Sequence, residues 1–231
     1  MGSGERPKKG NKKVSFYTGN KGAEYYEMRE ARRSDFVQER RASHFQPFIK
    51  ETDTVLDFGC GTGGVLGRIN CAKKIGIEVN APSIKEAEEQ GIKVFDDISK
   101  VKDQSIDIAI SNHALEHVPN PADQITQIAR TLKPGGKAIL VVPAESPASI
   151  RFSKWVKDDP DQHIYSWTPL SFGNLINQCG LEIERCYRRP IGYSKFIEPV
   201  AEMNEQAFQV ARRGVAFLLD RYEVACIAKK S

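Results

Sequence analysis

Three side chains capable of acid–base or metal chemistry stand within one short segment of the sequence: His113, Glu116 and His117. If the segment is helical, their i, i+3, i+4 spacing places them on one face of the helix. An imidazole can serve as a general base near neutral pH, whereas two imidazoles and a carboxylate can bind a divalent metal ion. A structural role is the third interpretation, and the spacing alone leaves all three open.

A further histidine, His163, lies in a long segment, residues 143–167, that is rich in proline, serine and aspartate. A connection of this length within a compact domain is usually functional, often as a lid over an active site. We expect this segment to cross the mouth of the site, where His163 can supply a base, a metal ligand or a substrate contact. His113, His117 and His163 are therefore the candidate catalytic residues.

A glycine-rich turn precedes these residues, and its Gly59, Gly61 and Gly64 match the pattern G-x-G-x-x-G. The turn follows a short apolar segment, residues 55–58, which predicts a strand, and an acid, Glu78, stands 19 positions after the first glycine. Such a turn lets the backbone approach a nucleotide cofactor, while the acid accepts hydrogen bonds from ribose hydroxyls. The arrangement therefore predicts a nucleotide-type cofactor.

Asp57, two residues before the first glycine, distinguishes between two cofactor classes. A dinucleotide brings its pyrophosphate to such a turn, and a carboxylate beside it would repel that charge. S-adenosylmethionine (SAM) instead carries an ammonium group and a sulfonium, both of which a carboxylate attracts. The acid therefore favours SAM over the cofactor of an oxidoreductase.

Five motifs, in order along the chain, resemble the signature segments of class I SAM-dependent methyltransferases, in particular their small-molecule (type 11) branch. They are the glycine-rich turn at 55–63, Glu78, the acidic segment 96–98, the segment 112–118 and the turn 132–136. The resemblance implies a Rossmann-like methyltransferase fold, transfer of a methyl group and SAM as its donor.

The resemblance also implies roles for the residues around the glycine-rich turn. Asp57 would hold the amino group of the methionyl part of SAM, partly through water. Gly59, Cys60 and Gly61 would let the backbone approach the cofactor closely. Glu78 would bind the ribose hydroxyls.

Further cofactor contacts are implied later in the chain. Val79 would pack on the adenine, and Asp97 would accept a hydrogen bond from the adenine amino group, with its neighbour Asp96 as the alternative. Asn112 would present its backbone carbonyl near the sulfonium. In the N-terminal segment, Arg29 is the implied partner of the methionyl carboxylate.

The elements that must position these residues alternate between strands and helices, which predicts parallel β–α–β units and a doubly wound α/β sheet. The resemblance implies a seven-stranded, mostly parallel sheet whose last strand is antiparallel. The predicted organisation is a flexible basic tail at 1–16 and a single methyltransferase domain at 17–231, with an N-terminal helical cap at 17–50, a lid-like segment at 143–167 and a helical insert at 192–219. Helical conformation is predicted for residues 21–49, 65–69, 112–117 and 198–219.

Composition limits the classes of protein that the chain can represent. Its 231 residues, 40% hydrophobic and 28% charged, are typical of a globular protein with one large or two small domains. The net charge of +4 is smaller than that of a dedicated nucleic-acid binder. We find no apolar run of the roughly 18 residues that a membrane span needs, and the five scattered cysteines are typical of reduced thiols. These features favour a cytoplasmic protein without a membrane span and argue against a nucleic-acid partner.

Taken together, the patterns favour methyl transfer from SAM to a hydroxyl of a small-molecule or glycan-like acceptor, with S-adenosylhomocysteine as the product. RNA methylation is one alternative, and a SAM-binding regulatory partner without turnover is another. A divalent metal is possible but not expected, because His113 replaces the first acid of the similar segment that some metal-assisted O-methyltransferases carry. The insert at 192–219 is a candidate either for shaping the acceptor pocket or for forming a homodimer interface.

Overall fold

Seven β-strands form one sheet within the described residues of the computed structural model, namely 16–31, 34–152, 154–157, 159, 161–191 and 198–231. The strands are β1 (Thr54–Phe58), β2 (Lys73–Ile77), β3 (Lys93–Phe95), β4 (Ile106–Asn112), β5 (Leu132–Pro143), β6 (Glu182–Pro190) and β7 (Tyr222–Lys229). Their spatial order is β3-β2-β1-β4-β5-β7-β6, and β7 runs antiparallel to both of its neighbours. The predicted doubly wound, mostly parallel sheet with an antiparallel last strand is thus confirmed.

Eight α-helices accompany the sheet in the same described ranges. They are α1 (Gly19–Ala31), α2 (Asp35–Phe45), α3 (Ala81–Glu89), α4 (Pro121–Thr131), α5 (Pro147–Phe152), α6 (Pro169–Gln178), α7 (Glu198–Met203) and α8 (Glu205–Leu218). None of these helices combines the length and the hydrophobicity needed to cross a lipid bilayer. Residues 1–15 of the predicted tail and 192–197 of the predicted insert lie outside the described ranges.

Both faces of the sheet are buried, as expected of parallel strands covered by helices on either side. Successive residues of one strand enter different cores: Val55 packs with Phe45 of α2, whereas Leu56 packs with Ile125 of α4. All four of these side chains are fully buried. The two apolar cores hold the central strands rigidly and so fix the positions of the strand ends.

The topology creates a switch point between β1 and β4. After β1 the chain builds β2 and β3 on one side, and then returns to add β4 on the other side of β1. In open α/β sheets, ligands bind in the crevice at the carboxyl ends of the strands beside such a point. The glycine-rich turn after β1 lies there. So does the segment 112–118 at the end of β4, called the histidine segment below because it carries His113 and His117.

Several local sequence signals have the predicted structural effect. The side chain of Asn80 accepts a hydrogen bond from the backbone N–H of Ser83 and so caps α3, which carries Pro82 in its first turn. Thr168 forms a reciprocal capping box with Ser171 at the start of α6. These caps satisfy backbone donors that would otherwise lack partners at a helix start.

Four predicted helical segments differ in the structure. Residues 65–69 form only the 3-10 turn Leu66–Arg68, because the glycines around them disfavour a helix. Segment 112–117 contains only the 3-10 turn Leu115–His117, since β4 extends to Asn112. Segment 198–219 is two helices, α7 and α8, and Asn204 caps the second of them.

The fourth segment, 21–49, is also divided. It consists of α1, α2 and the 3-10 turn Gln46–Phe48, and Ser34 before α2 has an extended backbone. Segment 143–167, predicted as lid-like, contains α5 and is closed at its ends by a parallel bridge between Ala144 and Trp167.

Candidate functional site

A cavity of about 440 Å³ lies at the carboxyl ends of β1 and β4. Residues that follow β1, β2 and β4 form its floor, and the two N-terminal helices contribute the opposite wall. Its lining includes seven residues for which the family resemblance implies cofactor binding: Asp57, Gly59, Cys60, Gly61, Glu78, Val79 and Asn112. The cavity thus brings most of the predicted cofactor residues together.

The turn after β1 requires glycine for two different reasons. Gly59 has φ +76°, and a Cβ there would lie 2.3 Å from Cβ of Ala114 in the segment after β4. Gly61 has φ +54°, a conformation that other residues rarely adopt. The N–H groups of Gly59 and Cys60 donate to the carbonyl of Ile77, which fixes the turn against β2. The backbone of the turn is therefore fixed in place and lines the cavity without intervening side chains at the two glycines.

Asp57 is the most unusual charged group of the cavity floor. Its side chain is buried, and Oδ1 has no hydrogen-bond partner among the described residues. Burial, together with the negative charge of Glu78, raises the pKa of Asp57 to about 7. A buried carboxylate in this state gains most from a cationic ligand, because an opposite charge would restore the solvation that burial removed. The site therefore fits the ammonium group of SAM.

Glu78 stands at the end of β2, where its carboxylate is positioned by backbone donors. It accepts hydrogen bonds from the N–H groups of Gly61 at 3.0 Å, Val79 at 2.6 Å and Asn80 at 2.8 Å. The side chain of Val79 is 44% exposed beside it. An oriented carboxylate next to an exposed apolar side chain suits a ribose with its attached base.

The N-terminal segment closes one side of the cavity through Asn80. The Asn80 side-chain amide donates to the carbonyls of Tyr17 at 3.0 Å and Gly22 at 2.7 Å. Tyr17 lines the cavity, as do Tyr25 and Tyr26 of α1. Asn80 stands two residues after Glu78 and donates its backbone N–H to that carboxylate at 2.8 Å, so the residue that anchors α1 also contacts the predicted ribose ligand. The side chain of Arg29, predicted to meet the methionyl carboxylate, lies outside the described part of α1.

Helix α2 contributes a wall that sequence reasoning missed. Ser34, Val37, Gln38 and Arg41 all line the cavity. Their i, i+3, i+4, i+7 spacing is the signal that could have grouped them on one helix face. It could not have shown that this face meets the cofactor site, since the opposite face of α2 packs into the core.

The predicted adenine ligands are not part of this lining. Asp96 is paired with Lys100 at the surface. Asp97 instead accepts a hydrogen bond from the N–H of Ser99 at 2.8 Å, capping the 3-10 turn Ile98–Lys100. The contact of either acid with adenine therefore stays a prediction.

The three candidate catalytic histidines surround a buried carboxylate, that of Glu116. Its side chain is fully buried, and neither carboxylate oxygen accepts a hydrogen bond from the described residues. Oε1 lies 3.3 Å from Nδ1 of His113, 3.8 Å from Nε2 of His117 and 3.9 Å from Nε2 of His163. The predicted proximity of these residues is correct, although it does not arise from a helical face. Instead, the 3-10 turn and the arrival of the 143–167 segment bring them together.

His113 has a strained backbone and two acidic neighbours. Its φ is +54°, and its Nε2 lies 2.8 Å from Oε2 of Glu223 on β7. Burial alone would lower the pKa of His113, but the nearby negative charge of Glu116, at 3.3 Å, and the hydrogen-bonded carboxylate of Glu223 outweigh it and raise the pKa to about 9. His113 is therefore protonated at neutral pH, which disfavours it as a general base.

His117 and His163 occupy different positions relative to the cavity. His117 lines it, and its Nδ1 lies 2.7 Å from the hydroxyl of Tyr17. His163 is not part of the lining, but its ring lies 4.9 Å from that of His117. The backbone N–H of Ile164 donates to the carbonyl of Glu116 at 2.9 Å, which joins the 143–167 segment to the turn after β4.

Known methyltransferases are similar to this chain in sequence. A family model described as "Methyltransferase domain" matches residues 27–185. The ubiquinone biosynthesis O-methyltransferase of Hahella chejuensis is 30% identical over 134 residues, which are 52% of this chain and 53% of that protein. The tRNA (carboxymethyluridine(34)-5-O)-methyltransferase of Arabidopsis thaliana is 27% identical over 143 residues, which are 59% of this chain and 32% of that protein.

The fold also resembles solved structures. A SAM-dependent methyltransferase from Archaeoglobus fulgidus aligns with a TM-score of 0.63 at 20% identity, over 89% of this chain and 99% of that one. The chain spans about half the length of the curated relatives it matches. The family match covers more than half of this chain and includes the glycine-rich turn and the histidine segment. The chain therefore belongs to the methyltransferase domain family, within the class I SAM-dependent methyltransferases.

Proposed function

We propose that this protein transfers a methyl group from SAM to a hydroxyl of a small-molecule or glycan-like acceptor. The proposal rests on the buried Oδ1 of Asp57, which has no hydrogen-bond partner in the part of the chain that the structure describes. This oxygen lies at the floor of a cavity formed beside the glycine-rich turn. The ligand therefore needs a positively charged group for Asp57 and a second part that can lie against the backbone of the turn. The ammonium and the nucleoside of SAM together meet this requirement.

The remaining cofactor roles follow from position. Glu78 would bind the ribose, and the exposed Val79 would pack on the adenine. Asn112, at the end of β4, would present its carbonyl near the sulfonium. For the methionyl carboxylate we favour Arg41, since its side chain lines the cavity.

Catalysis in such a site rests mainly on alignment of the acceptor. When bound, SAM supplies an electrophilic methyl group that an acceptor atom can attack in line. The protein must hold the acceptor oxygen against that methyl group and provide for the loss of its proton. His117, on the cavity wall beside Glu116 and His163, marks the end of the cavity where this proton would leave.

A hydroxyl acceptor is supported by the names of the relatives. Both the ubiquinone biosynthesis enzyme and the tRNA enzyme are named as methyltransferases acting at oxygen. An oxygen acceptor needs its proton removed, whereas a neutral amine needs less assistance. A cluster of three imidazoles around a carboxylate suits the more demanding acceptor.

RNA is the second candidate acceptor because of the similarity to the tRNA enzyme. The modest net charge of +4 argues against it. Binding to RNA should weaken steeply with salt if phosphate contacts dominate. A flat salt dependence would remove this candidate.

The test uses SAM with a labelled methyl group and a cell extract divided into glycan, lipid, nucleic-acid, protein and small-molecule fractions. Label in the small-molecule or glycan fraction, stable to conditions that cleave esters, is the expected result. Label in the RNA fraction would favour the alternative. Calorimetric binding of SAM with no label in any fraction would contradict the catalytic proposal and favour a regulatory SAM-binding partner.

A further inference from the structure

Glu116 is a buried acid without the neutralising hydrogen bonds that such groups normally have. In native proteins, buried polar atoms are nearly always partnered, and each exception calls for an explanation. Here both carboxylate oxygens lack a hydrogen bond within the described residues, although the side chain is fully buried. Its surroundings are three imidazoles, which are both proton donors and metal ligands.

Glu116 and two of the three histidines each have a possible ligand atom close to those of the others. The ligand atoms of Glu116, His117 and His163 all lie within 4.8 Å of one another. Two atoms bound to one tetrahedral ion at about 2.1 Å stand about 3.4 Å apart. The observed distances of 3.8 Å and 3.9 Å from Oε1 of Glu116 to the two Nε2 atoms are therefore close to those of a ligand set.

Outer contacts already orient these ligands. A metal-bound histidine usually donates its other ring N–H to an oxygen, and this fixes the ring. In His117 that nitrogen is Nδ1, which lies 2.7 Å from the Tyr17 hydroxyl, and Nε2 lies 3.8 Å from Oε1 of Glu116. His113 stands 3.3 Å from the same carboxylate on its other side. It would act as the outer donor that holds Glu116.

We propose that Glu116, His117 and His163 bind one first-row divalent metal ion, such as Zn²⁺ or Mn²⁺, at the acceptor end of the cavity. Two imidazoles and one carboxylate favour such ions over Mg²⁺ and Ca²⁺, which prefer oxygen ligands throughout. Three protein ligands leave coordination positions open, as catalytic metal sites require. His117 lines the cavity, so an open position would face the acceptor.

The role of the ion rests on the proposed function. The ion would make an acceptor hydroxyl bound to it more acidic, so that the proton could pass to solvent. The acceptor oxygen would then attack the methyl carbon of SAM, with a C–O bond forming as the S–C bond breaks. The sulfonium becomes the neutral thioether of S-adenosylhomocysteine, so one proton is released for each methyl group transferred.

The test measures metal binding directly, without turnover. The full chain is treated with a chelator, dialysed and titrated with Zn²⁺ by calorimetry, and then with Co²⁺ by visible absorption. We expect one ion per chain and an absorption band for Co²⁺ with nitrogen ligands. Glu116→Gln and His163→Ala should each weaken binding at least about 100-fold, since each removes a ligand. Asp161→Asn, an exposed acid two residues from His163, should leave the affinity unchanged.

The outcomes separate this site from the proposed function. The metal site would be overturned if neither Zn²⁺ nor Co²⁺ bound to the wild-type chain, or if all variants bound the metal with equal affinity. Either result would leave the binding of SAM, and with it the proposed function, intact. Absence of SAM binding in a chain that still binds the metal would overturn the methyl-transfer proposal alone. His163 is half-exposed, so His163→Ala should fold even if Glu116→Gln does not, and the test can then be made with that variant alone.

Discussion

At the scale of single residues, Asp57 joins the ionisation of the protein to cofactor binding. In the chain without ligand, burial and the charge of Glu78 raise its pKa to about 7. The protonated form is then the more stable one in the folded protein below that pH. A cationic ligand binds only the ionised form well, so binding must drive a proton off whenever the pH is lower than about 7.

We therefore expect SAM affinity to fall as the pH drops below 7, by up to about tenfold for each unit. Calorimetry between pH 5.5 and pH 8.5, in buffers of different ionisation enthalpy, would measure both the affinity and the proton release. Affinity that stays constant through this range would contradict the role of Asp57.

Substitution can test whether SAM binding depends on Asp57 in particular and not on any other acid of the chain. Asp57→Asn should weaken SAM binding by about 10- to 100-fold, which corresponds to one lost hydrogen bond between charged groups. It should also abolish the pH dependence near 7. The control is Asp123→Asn, an exposed acid on α4 outside the cavity, and its affinity for SAM should equal that of the wild type.

At the scale of elements, the docking of α1 depends on a close backbone approach. A Cβ at Gly22 would lie 2.2 Å from the carbonyl oxygen of Tyr17, which accepts a hydrogen bond from Asn80. Gly22→Ala must therefore displace the start of α1 from Asn80. We expect about tenfold weaker SAM binding and a nearly unchanged melting temperature, because neither core includes this segment.

The matched control is Gly214→Ala in α8, where an added Cβ has no neighbour within 4 Å. Alanine has the higher helix propensity, so this variant should gain up to about 1 kcal/mol of stability and keep its affinity for SAM. Calorimetry and thermal melts of both variants give the comparison. Equal SAM affinity in the two variants would show that the docking of α1 does not support the cofactor.

The start of α6 offers a test of stability without the cofactor. Thr168→Ala removes the side-chain oxygen that accepts from the N–H of Ser171, and with it the capping box. We expect a loss of about 1 kcal/mol in the free energy of unfolding, measured with urea. Thr126→Ala, an exposed site within α4, should cost less, so unfolding of both variants at the same urea concentration would argue against a stabilising cap.

The sequence was most informative where one local rule decides the structure. The glycine turn, the cap at Asn80 and the alternation of strands and helices are fixed by neighbouring residues, and the structure agrees with them. The position of Glu116 among three imidazoles depends on the positive φ of His113 and on a segment that returns 45 residues later, so helical spacing gave the right neighbours for the wrong reason. The contribution of α2 to the cavity depends on how that helix docks, which no local pattern contains.

At the scale of the whole molecule, cofactor binding should stabilise regions that are far apart in the sequence. SAM at about 100 times its dissociation constant should add about 2.7 kcal/mol to the free energy of unfolding. Hydrogen exchange should slow in α1 and in the turn after β1, and it should change little in β7. Stabilisation that leaves exchange in α1 unchanged would show that the N-terminal helix takes no part in closing the site.

The two hydrogen bonds from Asn80 to the carbonyls of Tyr17 and Gly22 have a kinetic consequence. They hold one wall of the cavity to Asn80, whose backbone N–H donates to the predicted ribose ligand Glu78, so exchange of the nucleoside would require the wall to separate from the sheet. On the proposed function, an acceptor that enters beside His163 would bind without breaking the two hydrogen bonds of Asn80. Turnover would then follow an ordered mechanism, in which the methyl donor binds first and its demethylated product dissociates last. The demethylated nucleoside would consequently compete with fresh donor, and its departure, rather than the chemical step, would set the rate.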